Sequence, residues 1–119
     1  MDNLASGDLT IEINESGSPI KLTWKGKSNE RQPNKTILPF MAAVFGLASE
    51  KGVAVEMHFE NLEHFNSATI TTLIQIIQEA RAKSVKLALV YDQGLKWQKL
   101  SFDALRVFAK DQSLEIRTQ

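Results

Sequence analysis

Three short constellations in this 119-residue chain hold residue types capable of chemistry. Gly26-Lys27-Ser28 has the ending of a phosphate-binding loop. That motif needs a glycine five positions before Gly26 and a helix directly after it. Lys21 occupies the first position, and Asn29 to Pro33 does not read as a helix, so a phosphate cradle is excluded. Glu56, His58 and Glu60 fall at i, i+2 and i+4 on one side of a strand, with His64 nearby. Ligands two apart on a strand can share a metal. A solvated sheet face produces the same alternation, and that is the reading adopted for these residues. The third is Leu62-Glu63-His64-Phe65-Asn66-Ser67-Ala68-Thr69-Ile70, where a strand passes into an amphipathic helix. Asn66 and Ser67 are both good N-caps, and read locally they do no more than satisfy orphan backbone N–H groups.

Other chemistry finds no support. Two histidines and scattered carboxylates fix no Ser/His/Asp geometry. The chain has no cysteine, which removes disulfides, thiolate metal sites and cysteine nucleophiles. Lys plus Arg equals Asp plus Glu at 14 each, so no net charge draws the protein to nucleic acid or to an anionic membrane. The opening MDNLASGDLT lacks the basic and apolar regions of a signal peptide, and no apolar run is long enough for membrane insertion. The expectation is a cytoplasmic, non-enzymatic protein with no metal or cofactor. A hydrophobic fraction of 43% and a charged fraction of 24% are those of an ordinary globular domain. The length suits a single domain spanning residues 1–119.

The elements that must position these residues follow from periodicity. Leu9, Ile11 and Ile13 alternate with polar residues, as do Ile20, Leu22 and Trp24. With the Glu15-to-Pro19 turn cluster between them, residues 8–25 predict a hairpin. Residues 26–36 predict a polar loop, with Thr36 as a helix cap and Pro39 in the first turn. A helix over 37–51 stops at Gly52. Val53, Val55, Met57 and Phe59 predict a strand. A second helix over 67–83 carries Ile70, Leu73, Ile74 and Ile77 as its inward stripe. Val85 to Tyr91 predicts a strand, 95–110 a third helix with Trp97, Leu100, Ala104, Leu105 and Phe108 inward, and Leu114 to Ile116 a last strand. The order β-β-α-β-α-β-α-β implies an α/β protein with a mixed, mostly parallel sheet behind an N-terminal hairpin. Because the strands alternate instead of running continuously apolar, the helices are expected mainly on one face.

From Val53 to Thr118 the chain resembles the second half of a STAS domain, the anti-sigma-factor-antagonist kind. An apolar strand leads into "F-N-S-A-T-I-T-T-L-I", followed by "V-K-L-A-L-V", another helix and a short strand. The hairpin and first helix agree with the family order, so the resemblance covers most of the chain and implies a STAS-like two-layer fold. In that family the strand-to-helix corner carries Asp-Ser, a small residue, Gly and an aliphatic residue, and the Ser is phosphorylated by a partner kinase. Ser67 matches this phosphoacceptor, while Asn66 stands in place of Asp and Thr69 in place of Gly.

The resemblance implies a bacterial partner-switching phosphoprotein acting in signal transduction and transcription regulation. Its partners would be a GHKL-type serine kinase/anti-sigma factor and a PP2C-type phosphatase. Asn66, Ser67, Ala68, Thr69, Ile70 and Thr71 would form the partner-binding surface, together with the loop before Thr36. The alternative is a constitutive STAS scaffold or transporter-associated subunit without phosphorylation. A third reading, a small enzyme or metal protein using the Glu56/His58/Glu60 face, is the one that a metal analysis tests.

Overall fold

The computed structural model describes all residues from Met1 to Gln119. A seven-stranded sheet carries β1 (Leu4–Ser6), β2 (Leu9–Asn14), β3 (Ile20–Ser28), β4 (Val55–His58), β5 (Leu62–Phe65), β6 (Leu87–Tyr91) and β7 (Leu114–Thr118). Three helices accompany it: α1 (Asn34–Lys51), α2 (Ser67–Ala82) and α3 (Lys96–Leu105), the last running into a 3₁₀ turn at Arg106–Phe108. The spatial order is β1-β2-β3-β4-β6-β7, with β5 also against β3. β1, β2 and β3 pair antiparallel, and the remaining pairs are parallel.

Alternation built the sheet as expected. Ile20, Leu22 and Trp24 of β3, Val55 and Met57 of β4, and Leu87, Leu89 and Tyr91 of β6 are all buried in one core. The opposite face carries Lys21, Thr23, Glu56, His58, Glu115 and Arg117. The cavities on that face are lined only by strand and loop residues, so no helix covers it. The two-layer arrangement with helices on one face is therefore the observed one.

β3 is long because it serves two partners in turn. Its first half pairs with β4 and its second half with β5. β4 and β5 are one strand interrupted at Phe59-Glu60-Asn61. Gln98, fully buried on α3, fills this break. Its Nε2 donates to the Phe59 carbonyl at 2.6 Å and the Leu62 carbonyl at 3.2 Å, and its Oε1 accepts from the Asp92 N–H at 2.9 Å. Gly26 has a positive φ of 84°, and a side chain there would meet the Asp8 carbonyl at 2.1 Å. Only glycine lets β3 turn so close to β2 before it reaches β5.

Several boundaries differ from the sequence expectations. β1 was not expected, β5 forms a strand separate from β4, and β3 runs three residues past Lys25. Thr36 does not cap α1: the helix begins at Asn34, where the Pro33 carbonyl accepts from Thr36 and Ile37 N–H groups. Pro39 consequently lies inside the helix and not in its first turn. Gly52 does end α1, in the left-handed conformation with φ 66°. On α2 the buried stripe is Thr69, Thr72, Leu73, Ile76, Ile77 and Ala80, with Ile70 and Ile74 only half-buried. The stripe is rotated because two threonines go inward with their hydroxyls satisfied, Thr72 by the Ala68 carbonyl at 3.0 Å. On α3, Gln98, Phe102 and Leu105 face the core. Leu100 and Ala104, expected inward, are exposed.

Candidate functional site

The strand-to-helix corner is assembled from three elements. β5 ends at Phe65, and the Asn66 N–H then donates to the Ser28 carbonyl at the end of β3, at 3.0 Å. Asn66 has extended backbone (φ −91°, ψ 176°) and is the N-cap of α2. Its Oδ1 accepts from the Thr69 N–H at 2.9 Å. Its Nδ2 donates to the Glu30 carbonyl at 2.8 Å. An aspartate could make the first bond but not the second, because a carboxylate has no N–H to give. The asparagine thus ties the loop between β3 and α1 to the start of α2.

Thr69 completes the joint from inside. It is fully buried, and its Oγ1 lies 2.6 Å from Ser28 Oγ and 2.8 Å from Asn66 Oδ1. With one proton on each hydroxyl, Ser28 can donate to Thr69 while Thr69 donates to Asn66. A glycine here would leave the Ser28 hydroxyl, itself buried, without this partner. This corrects the expectation that Thr69 lines the partner-binding surface: its side chain is committed to the core.

Ser67 is the first residue of α2 and is exposed. Asn66 does the capping, so the Ser67 hydroxyl is free of structural duty. The Ser67 and Ala68 N–H groups find no acceptor within the chain, as is usual for the first turn of a helix. Such a terminus carries a partial positive charge and accepts an anion readily. Of the other expected surface residues, Thr71 is exposed, and Asn66, Ala68 and Ile70 are half-buried. The loop residues Glu30, Arg31 and Gln32 border an open cavity of about 740 Å³ with Lys35, Thr36 and Ser6. Sequence reasoning placed this loop beside Ser67 only through the resemblance, and the bond from Asn66 to Glu30 is the contact that puts it there.

The second candidate cluster lies on the open face of the sheet. His58 sits between two carboxylates, with Nε2 2.7 Å from Glu56 Oε1 and Nδ1 3.2 Å from Glu60 Oε1. Arg117 of β7 reaches Glu56 Oε2 at 3.2 Å. Burial works to raise the Glu56 carboxyl, but hydrogen bonds from His58 and Arg117 outweigh it and hold it below its ordinary value. Both ring nitrogens of His58 are thus engaged by carboxylates, which makes the group an ionic ladder across β4 and β7. His64 does not join it. It lies on β5 opposite Lys27, with its ring 6.5 Å from that of Trp97. No three metal-binding side chains converge anywhere in the chain, and no helix is long and apolar enough to cross a membrane.

No family model and no curated protein matches the chain. Among solved structures, an uncharacterised DUF3478-family protein with a SpoIIAA-like fold, from Shewanella loihica PV-4, aligns over 98% of this chain and 90% of its own, with a TM-score of 0.56 at 12% identity. The anti-sigma factor antagonist SpoIIAA in its unphosphorylated form aligns over 67% of this chain and 71% of its own, with a TM-score of 0.47 at 14% identity. The match to the DUF3478-family protein shows that the fold is SpoIIAA-like.

Proposed function

We propose that a SpoIIAA-like fold serves here as a non-enzymatic, phospho-regulated partner switch, located in the cytoplasm and controlled at Ser67. With Ser67 free, the corner binds a GHKL-type serine kinase acting as anti-sigma factor. Phosphorylation of Ser67 ends that complex, and a PP2C-type phosphatase restores it. The observation that carries this reading is an exposed serine hydroxyl at the first position of α2, freed from capping by Asn66.

The physical case rests on separating binding from folding. A phosphoserine adds about −1.5 to −2 charge at neutral pH. At a helix start this charge meets open N–H groups and a favourable dipole, worth about 0.3–1 kcal/mol at an exposed site. That is too little to remodel the domain. A partner covering the corner would instead have to desolvate or repel a nearly divalent anion. Ser67, Ala68, Ile70 and Thr71 supply the contact surface, with Asn66 fixing the neighbouring loop.

A constitutive scaffold or transporter-associated subunit is the second reading. It is favoured by Asn66, which lacks the charge of the aspartate usual in anti-sigma-factor antagonists. Pull-downs from native lysate with Ser67→Ala and Ser67→Asp decide between them. The switch requires the same partner to be retained by Ser67→Ala and lost by Ser67→Asp. Equal retention by both variants would leave the scaffold reading in its place.

A further inference from the structure

Apart from Met1, the large apolar side chains most exposed to solvent are Leu100 and Val107, each at 67%. Both belong to the α3 segment and lie on a stripe separate from its core-facing side. Trp97, Leu100, Ala104 and Val107 fall at i, i+3, i+7 and i+10, while Gln98, Phe102 and Leu105 face inward. Trp97, Leu100 and Ala104 line one side of α3, and the 3₁₀ turn that continues it brings Val107, three residues after Ala104, to the same side. At its start the half-buried Trp97 meets Phe65 edge-on at 5.1 Å, which anchors the stripe to the end of β5.

The charges beside the stripe are lopsided. Between residues 96 and 110 the chain places Lys96, Lys99, Arg106 and Lys110 against a single acid, Asp103, although its overall net charge is zero. Asp103 is engaged by Lys99 at 2.6 Å and by Arg106 at 3.3 Å. Arg106 is further held by the Ile116 carbonyl at 2.7 Å and the Tyr91 hydroxyl at 2.9 Å. Lys96 and Lys110, at the two ends of the stripe, make no side-chain hydrogen bond or ion pair within the chain.

We infer that the exposed stripe Leu100/Ala104/Val107, bordered by the half-buried Trp97, is a docking face for an acidic amphipathic helix of a partner protein. An apolar line at helical spacing fits the apolar face of a second helix. The free lysines at its ends complement carboxylates flanking that face. A second copy of this chain fits poorly, because antiparallel self-pairing sets Lys96 against Lys110 of the other copy. A lipid surface fits poorly as well, since anionic membranes are usually read by clusters of about 4–8 basic residues, and two of the four here are already engaged. None of these residues includes Ser67, so the face exists whatever the fate of that hydroxyl.

The test uses two synthetic peptides sharing leucines at i, i+3, i+7 and i+10, one with glutamates and one with lysines between them. Each is titrated into the full chain labelled with nitrogen-15. The acidic peptide is expected to shift the amide resonances of Leu100, Ala104 and Val107, and to bind at least about tenfold more tightly than the basic one, a difference of about 1.4 kcal/mol. Leu100→Glu with Val107→Glu should abolish the shifts, and Lys96→Glu with Lys110→Glu should reverse the peptide preference. Both variants alter exposed side chains, and unchanged thermal unfolding confirms that they fold. Equal binding of the two peptides, or shifts located away from α3, would overturn the inference. So would sedimentation with phosphatidylglycerol vesicles that Leu100→Glu abolishes, or a dimer in sedimentation equilibrium that the same variant dissociates.

Discussion

The two faces of the sheet solve opposite problems with the same alternating strands. On the covered face, Trp24, Phe59 and Phe102 pack in sequence, with ring centroids 4.9 Å apart at each step. α1 and α2 close over this layer with Ile37, Met41, Phe45, Leu73 and Ile76, all fully buried. On the open face, Glu56 and His58 of β4, Glu60 in the break after it and Arg117 of β7 form a ladder. The first face holds the fold together by excluding water. The second faces water with charged side chains in contact with one another, and such partly exposed pairs contribute little. The comparison leaves a third place, the rim where β5 passes into α2: there Asn66 bonds to the end of β3 and to Thr69, and the exposed Ser67 hydroxyl is uncommitted.

The sharpest way to break this contrast is to empty the covered face. Leu73→Ala should cost on the order of 2–5 kcal/mol, because Leu73 is fully buried. Chemical denaturation measures it, and a loss below about half a kcal/mol would be far under that range and would show that α2 does not seal the core. Gln98 probes the polar joint within the same layer. Gln98→Ala strips partners from the Phe59 and Leu62 carbonyls and the Asp92 N–H. Leaving a buried polar group unsatisfied costs about 1–3 kcal/mol, so a loss in that range is expected. Gln98→Glu should be no milder, since it removes the donors and keeps only acceptors.

The open face should respond to acid instead. The Glu56 carboxyl is held below its ordinary value, so its contribution is complete above the unfolded carboxylate pKa of about 4.3. That contribution is lost as the pH falls through the lower folded value. Glu56→Gln should therefore lower stability slightly at neutral pH, with the difference from the unsubstituted chain vanishing as the pH falls, which flattens the acid side of the stability profile. A loss as large as that of Leu73→Ala would contradict the contrast between the faces. The smallest effect is expected at the rim. Ser67→Asp should shift the melting temperature by no more than a few degrees, the scale of about 1 kcal/mol in a domain of this size. Larger destabilisation would mean that the hydroxyl has a structural role.

These differences also explain what was legible in the sequence. Strands β2, β3, β4 and β6 were readable because one side of each is wet and the other dry. β5 was not: in Leu62-Glu63-His64-Phe65 only the two ends are buried, so no period of two exists to be seen. β1 has three residues and no such pattern. On α2 an apolar count favoured Ile70 and Ile74 over Thr69 and Thr72. Burial of a threonine depends on where its hydroxyl finds hydrogen-bond partners, and such a partner can lie 41 residues away, as Ser28 does from Thr69. α3 offered two competing stripes, and Gln98 concealed the true one by being polar. The Asn66-Ser67 corner was legible as a cap and as a match to a family motif. The hydrogen bond from the Asn66 side-chain amide to the Glu30 carbonyl, which brings the neighbouring loop beside the corner, joins segments distant in sequence and had no local signal.

The most direct test of control through Ser67 is peptide mapping by mass spectrometry on the protein isolated from its own cells, with and without phosphatase treatment. A reversible switch requires a fraction carrying one phosphoryl group on Ser67, removed by the phosphatase. A chain wholly unmodified at Ser67 across growth conditions, or phosphorylated elsewhere with Ser67 bare, would contradict it.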